Sequence, residues 1–174
     1  MQVQLGGDIL EMNKKIAIVT TTLLVLLPLV LMAVPTVAAM IKEPYWAHAQ
    51  ITSTSGPNKV WFANSIMQAE DLVWECAYNG SLGIGTMEVV FGHLTLNTVT
   101  GQGTFIATWT IFIDDSTFSG SANGKITGGL GGTATGVFRG THGTGEFEGM
   151  QKMGGFVTNL ATGAEDEWGV MIIH

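Results

Sequence analysis

The chain has 174 residues, with 14 acidic and 7 basic side chains, 24 glycines, one cysteine and 12% charged residues. That length fits one domain with a short appendage. A 46% hydrophobic composition excludes a disordered chain, and glycines without a period of three exclude collagen. The net charge of −7 repels phosphate and argues against a nucleic-acid partner, and a lone Cys76 cannot close a disulfide within one copy.

Lys14-Lys15 precede residues 16–34, a run with no charge, and Val37 and Ala39 then put small side chains at −3 and −1 of a cut before Met40. Positive flank, apolar stretch and small-residue site in that order predict a secretory signal-peptide helix over residues 12–39. The alternative is an uncleaved membrane anchor formed by residues 16–34, a length near the roughly 20 residues that span a bilayer. Pro28 within the run favours cleavage, and no cysteine follows it to accept a lipid. Residues 1–11 fit neither reading. MNKK from Met12 opens as a signal peptide does, and Gly6-Gly7-Asp8 is compatible with GGAGGTGAT, which looks like a ribosome-binding site. The expectation is that Met12 is the start and residues 1–11 are a mis-assigned leader. Residues 40–174 are then the exported domain. Loss of residues 1–39 removes Asp8, Glu11, Lys14 and Lys15, so the net charge stays −7.

That domain alternates with a period of two. Weaker strand patterns cover residues 45–54, 60–67, 72–78 and 86–96, and residues 65–75 have a helical alternative because MQAEDL favours helix. Residues 103–113 carry Phe105, Ala107, Trp109, Ile111 and Ile113 on one face. Residues 116–127 carry Phe118, Gly120, Ala122, Gly124 and Ile126 against a wholly polar opposite face. The Asp114-Asp115 turn between them predicts a long hairpin. After a glycine-rich loop at 128–132, residues 133–142 set Ala134, Gly136, Phe138, Gly140 and His142 on one face. Residues 146–159 read as a strand interrupted at Gly154-Gly155, and residues 165–173 close the chain with Trp168, Val170 and Ile172 on one face.

Eight or nine antiparallel strands without a long helix must manage their edges, and closing into a barrel does so most completely. The predicted fold is therefore all-β, an eight-stranded or nine-stranded closed barrel, with a sandwich as runner-up. Outer faces rich in Thr and Ser indicate a water-soluble barrel, since a membrane barrel needs an apolar exterior. Glycine and alanine in phase with Phe118 and Phe138 admit two explanations. Small residues either sit opposite large rings and relieve crowding, or they leave a hollow lined by Phe105, Trp109, Phe118 and Phe138.

GQGTFIATWTIFIDDSTFSGSANGKITGG followed by GTATGVFRGTHGTGEFEGMQKMGGF resembles the allene-oxide-cyclase-like barrels, a superfamily shared with dirigent proteins, and most narrowly its small prokaryotic domains. The likeness covers about residues 86–156 through repeated G-x-F-x-G turns and Thr-rich strands. It implies an eight-stranded antiparallel barrel with an apolar lumen, often oligomeric, whose active members steer a reactive small molecule to one cyclised or coupled product. The family's catalytic residues and activity are not carried over to positions of this sequence.

His48, His93, His142 and His174 lack metal-ligand spacing, so neither a metal site nor a cofactor is expected. By parity His142 follows Phe138 and Gly140 inward, and a turn at Gly143–Gly145 would bring it near Glu146. That pair is the candidate for proton transfer at a barrel mouth, against a plain turn-side hydrogen bond. Cys76 shares a face with Leu72, Trp74 and Tyr78, surroundings that raise a thiol's pKa and leave it inert. Gly129 to Ala134 matches a G-x-G-x-x-A turn but opens no helix. Glu165-Asp166-Glu167 reads as a solvated turn rather than a calcium site. Asn79-Gly80-Ser81 is a glycosylation sequon.

The leading expectation is a secreted, non-catalytic barrel that binds a small apolar molecule through Phe105, Trp109, Phe118, Phe138 and His142. It meets a membrane only through its N-terminal segment, and the resemblance admits a homo-oligomer. The alternatives are a filled barrel acting as a cell-surface module, and an isomerase, cyclase or dirigent-like protein using His142 and Glu146. The enzyme ranks last because this inner face offers few polar groups.

Overall fold

The computed structural model describes residues 40–173. The expectations for residues 1–39 (leader, signal peptide or anchor) and for His174 lie outside the described residues. Ten strands follow in chain order: β1 Ile41–Ser55, β2 Lys59–Ala63, β3 Ile66–Glu70, β4 Leu72–Gly80, β5 Gly83–Asn97, β6 Gly103–Ile113, β7 Ser116–Thr127, β8 Thr133–Gly143, β9 Gln151–Asn159 and β10 Ala164–Ile173. Eight of them close an antiparallel barrel in the order β5-β4-β1-β10-β9-β8-β7-β6, with β6 returning to β5. The β2–β3 hairpin extends the sheet beyond the start of β4: β5 pairs with β4 up to Phe91 and with β3 from Leu94 to Asn97. Among the described residues no helix is long and apolar enough to cross a membrane.

Local chemistry moved several boundaries. The helical alternative at 65–75 is overturned: β3 and β4 occupy that stretch, parted by Asp71 at φ 58°. Ladder bonds to β5 and burial of Ala69 outweigh the helix propensity of MQAEDL. The single strand expected over 60–67 is a hairpin turned at Asn64, whose φ of 55° suits an asparagine. The strand expected from Glu146 starts at Gln151, after a 3-10 turn over Gly145–Phe147 that tucks Phe147 into the core. Gly154 and Gly155 stay inside a continuous β9.

The inner faces of β6, β7 and β8 follow the expected phase through Gly140: Phe105, Ala107, Trp109, Ile111, Phe118, Ala122, Ile126, Ala134 and Phe138 are all buried. Between them the glycines make room for rings. A Cβ on Gly140 would lie 2.6 Å from Phe118 Cε1 and 2.9 Å from Trp109 Cζ2, and one on Gly124 would lie 2.7 Å from Phe105 Cζ. At these glycines the missing side chain relieves crowding against the rings.

Two faces depart from expectation. At the end of β8 the register slips: Gly140 pairs with Gly120 but His142 pairs with Ser119, leaving Thr141 as an extra residue. A bulge of this kind switches the side-chain phase, so His142 is exposed rather than inward. In β10 the inward face is the acidic one. Glu167 and Met171 are buried, while Trp168 and Val170 are 53% and 39% exposed. Trp168 lies across from Trp46 on β1, which is 55% exposed, and with Met153 and Val137 these side chains form an apolar stripe on an exterior expected to be polar.

Candidate functional site: a buried ion pair beside an internal cavity

Inward parity on β9 carries Lys152, Phe156 and Thr158 into the barrel, and β10 brings Glu165 and Glu167 to meet them. β1 adds Tyr45 and β4 adds Tyr78. Lys152 is 1% exposed and Glu167 7%. A lone buried charge costs several kcal/mol, so the two are expected to be paired. Lys152 Nζ lies 3.1 Å from Glu167 Oε2 and 2.7 Å from the Tyr45 hydroxyl. The same nitrogen stands 4.2 Å from the centroid of the Trp109 ring, 4.4 Å from Tyr45 and 4.7 Å from Phe138. Ring faces and a carboxylate around one nitrogen form an environment for an ammonium.

The Tyr45 hydroxyl is the hub. It donates to Glu167, so it accepts from Lys152 and, at 3.0 Å, from Tyr78. Burial, with the Glu167 charge adding to it, pushes the phenol pKa of Tyr45 far above its ordinary value, and burial raises that of Tyr78 as well. Burial also pulls the Lys152 ammonium down, against an upward pull from Glu167. Glu165 accepts from the Thr158 hydroxyl, and burial followed by the charge of Glu167 lifts its carboxyl to about 8. At neutral pH Glu165 therefore holds its proton, and the cluster carries one ion pair and one neutral acid.

An internal cavity of about 30 Å³ adjoins this cluster. Trp74, Phe91, Phe105, Trp109, Phe138 and Phe156 line it on one side, and Thr158, Glu165 and Glu167 on the other. A water needs roughly 10–15 Å³ of such space, so the cavity takes about two. The Trp109 indole N–H is buried and has no hydrogen-bond partner among the described residues.

Phe105, Trp109 and Phe138, expected to line the lumen, line this cavity. Phe118 is buried beneath it, packed on Trp109 at 5.8 Å and on Phe147 at 6.2 Å. His142 is on the exterior, its Nδ1 3.1 Å from the Thr141 hydroxyl. Glu146 is exposed, and no hydrogen bond or ion pair joins it to His142; its backbone N–H donates to Ser116 Oγ. The bulge that turned His142 outward separates the two. His48 is bonded to Asp166 at 3.0 Å, and His93 faces the Trp61 ring at 6.3 Å. Cys76 is buried, and its thiol is pushed up to about 12 by burial and then by Glu165 and Glu167. Among the described residues no three His, Cys, Asp or Glu side chains gather to hold a metal ion.

Tyr45, Tyr78, Lys152, Thr158, Glu165 and Glu167 are the polar residues that sequence reasoning missed. Parity held the signal for four of the six: Lys152 and Thr158 keep the phase of Phe156, Tyr45 that of Ala47 and Ala49, and Tyr78 that of Cys76. No protein-family model matches the chain, and no curated protein is significantly similar to it.

Proposed function

We propose that the barrel is a binding protein that takes one small, largely apolar molecule into its lumen. The observation that carries this reading is an aromatic cavity lined by Trp109, whose buried indole N–H has no hydrogen-bond partner among the described residues. A buried donor without an acceptor costs about 1–3 kcal/mol, and a ligand or water placed there removes that cost. Trp74, Val89 and Glu165 are the half-buried side chains around the cavity, and admission of a ring requires them to part.

One observation favours a second reading, the filled barrel serving as a structural module. The cavity of about 30 Å³ is small beside the roughly 150 Å³ that admits benzene in an engineered core. Titration with toluene and with cyclopentanone, each followed by thermal unfolding, separates the two. Lumen binding gives a saturable rise in Tm that disappears in Ala107→Leu, which fills the cavity from β6. A folded wild-type protein whose Tm responds to neither probe leaves the filled barrel as the reading.

A further inference from the structure

We infer that the lumen selects a neutral molecule with a hydrogen-bond acceptor on an apolar body, such as a ketone, ester or ether, and that the Trp109 indole N–H receives the acceptor. This rests on lumen binding as proposed above and adds the chemistry of the ligand. The cavity is apolar on its aromatic side, so the bulk of the guest must be hydrocarbon. Its hydrogen-bonding needs follow from what the polar wall has left over. Lys152 donates to Tyr45 and Glu167, Tyr45 donates to Glu167, Thr158 donates to Glu165, and the proton that Glu165 holds is directed to Glu167. Trp109, only 4% exposed, retains a free donor.

Charge disfavours an anionic guest. A carboxylate guest would meet the Glu167 carboxylate at the cavity wall, and the ammonium nearest to it is already held by Glu167 and Tyr45. A guest with no acceptor leaves the indole N–H as unpaired as before. A site that hydrogen-bonds one substrate group discriminates strongly against an analogue lacking it, because its own polar atom is then left buried and alone.

Three probes of about one size test this: cyclopentanone, methylenecyclopentane and cyclopropanecarboxylate. Each is titrated into the 15N-labelled protein at pH 7 while the Trp109 indole cross-peak is followed, assigned by its loss in Trp109→Phe. The expected result is a downfield indole shift with the ketone alone. The ketone should bind about tenfold or more tighter than the alkene, and the carboxylate not at all. In Trp109→Phe, with folding checked by circular dichroism, ketone and alkene should bind within twofold of each other. Equal affinities in the wild type, a ketone preference that survives in Trp109→Phe, or carboxylate binding would each overturn the selectivity while leaving lumen binding intact. If no probe binds, lumen binding and the selectivity fall together.

Discussion

The two sides of the barrel solve the problem of a filled interior differently. Across β6, β7 and β8, rings face inward over glycines, and threonine and serine occupy much of the exterior. Across β9, β10 and β1, the polarity is partly reversed: Lys152 and Glu167 lie inside, and Trp46, Trp168 and Val170 stand outside. Volume explains the difference. Phe105, Trp109, Phe118 and Phe138 already project into the lumen, which has little room for two further indoles. The second side therefore turns in Ala47, Ala49, Gly154 and Gly169, together with charged groups that neutralise one another. A one-residue slip of β10 would exchange its two faces, so the ion pair also marks the register.

The largest effect is expected from separating the buried charges. Lys152→Met leaves Glu167 in the interior without its counter-ion and should cost about 3–5 kcal/mol in urea unfolding. Adding Glu167→Leu should restore most of that loss, because well-packed apolar groups replace a buried pair with little penalty. A single mutant near wild-type stability would mean that β10 does not hold its acidic face inward. On the other side, Gly140→Ala pushes a methyl against Trp109 and Phe118 and should cost about 1–3 kcal/mol by overpacking. Trimming the ring with Trp109→Leu should recover part of this if the glycine is there to clear space.

The two sides were not equally legible in the sequence. β6 and β7 could be read because one face was apolar and the other polar, leaving one way to bury them. β10 offered Trp168, Val170 and Ile172 against Glu165, Glu167 and Met171, and alternation alone assigns the hydrophobic set to the core. The correct assignment needed to know what already filled the lumen, which is a property of the closed barrel rather than of any strand. His142 was lost for a different reason. Parity carries over a strand only while the register holds, and the extra residue at Thr141 has no signature in T-H-G. The hairpin at Asn64 was hidden because Asn-Ser is a weaker turn signal than Asn-Gly.

A smaller effect follows from pH. The folded-state pKa of Glu165, about 8, lies above its ordinary value of 4.5, so the folded protein binds the extra proton between them. Stability from this group is complete below pH 4.5 and falls as the pH rises to about 8, where the second carboxylate appears beside Glu167. Lys152 and Thr158 from β9, Cys76 and Tyr78 from β4 and Tyr45 from β1 complete the surroundings of the two carboxyls. The Tm should drop by roughly 5 °C between pH 5.5 and pH 9, and the drop should be largely absent in Glu165→Gln. The smallest effect belongs to the exterior. Trp168→Ser removes a half-exposed ring resting on Gly155 and should change stability by about 0.5 kcal/mol or less. A loss as large as that of Lys152→Met would show that this tryptophan belongs to the core and that the faces of β10 have been exchanged.

Carbon-13 NMR of the glutamate side-chain carboxyls, recorded as a function of pH, tests most directly whether β10 turns its acids into the barrel. One resonance should titrate near pH 8 and vanish in Glu165→Gln, since burial beside Glu167 holds that proton. If every glutamate in the folded protein titrates in the ordinary range near 4.5, the acidic face meets water and the interior described here is wrong.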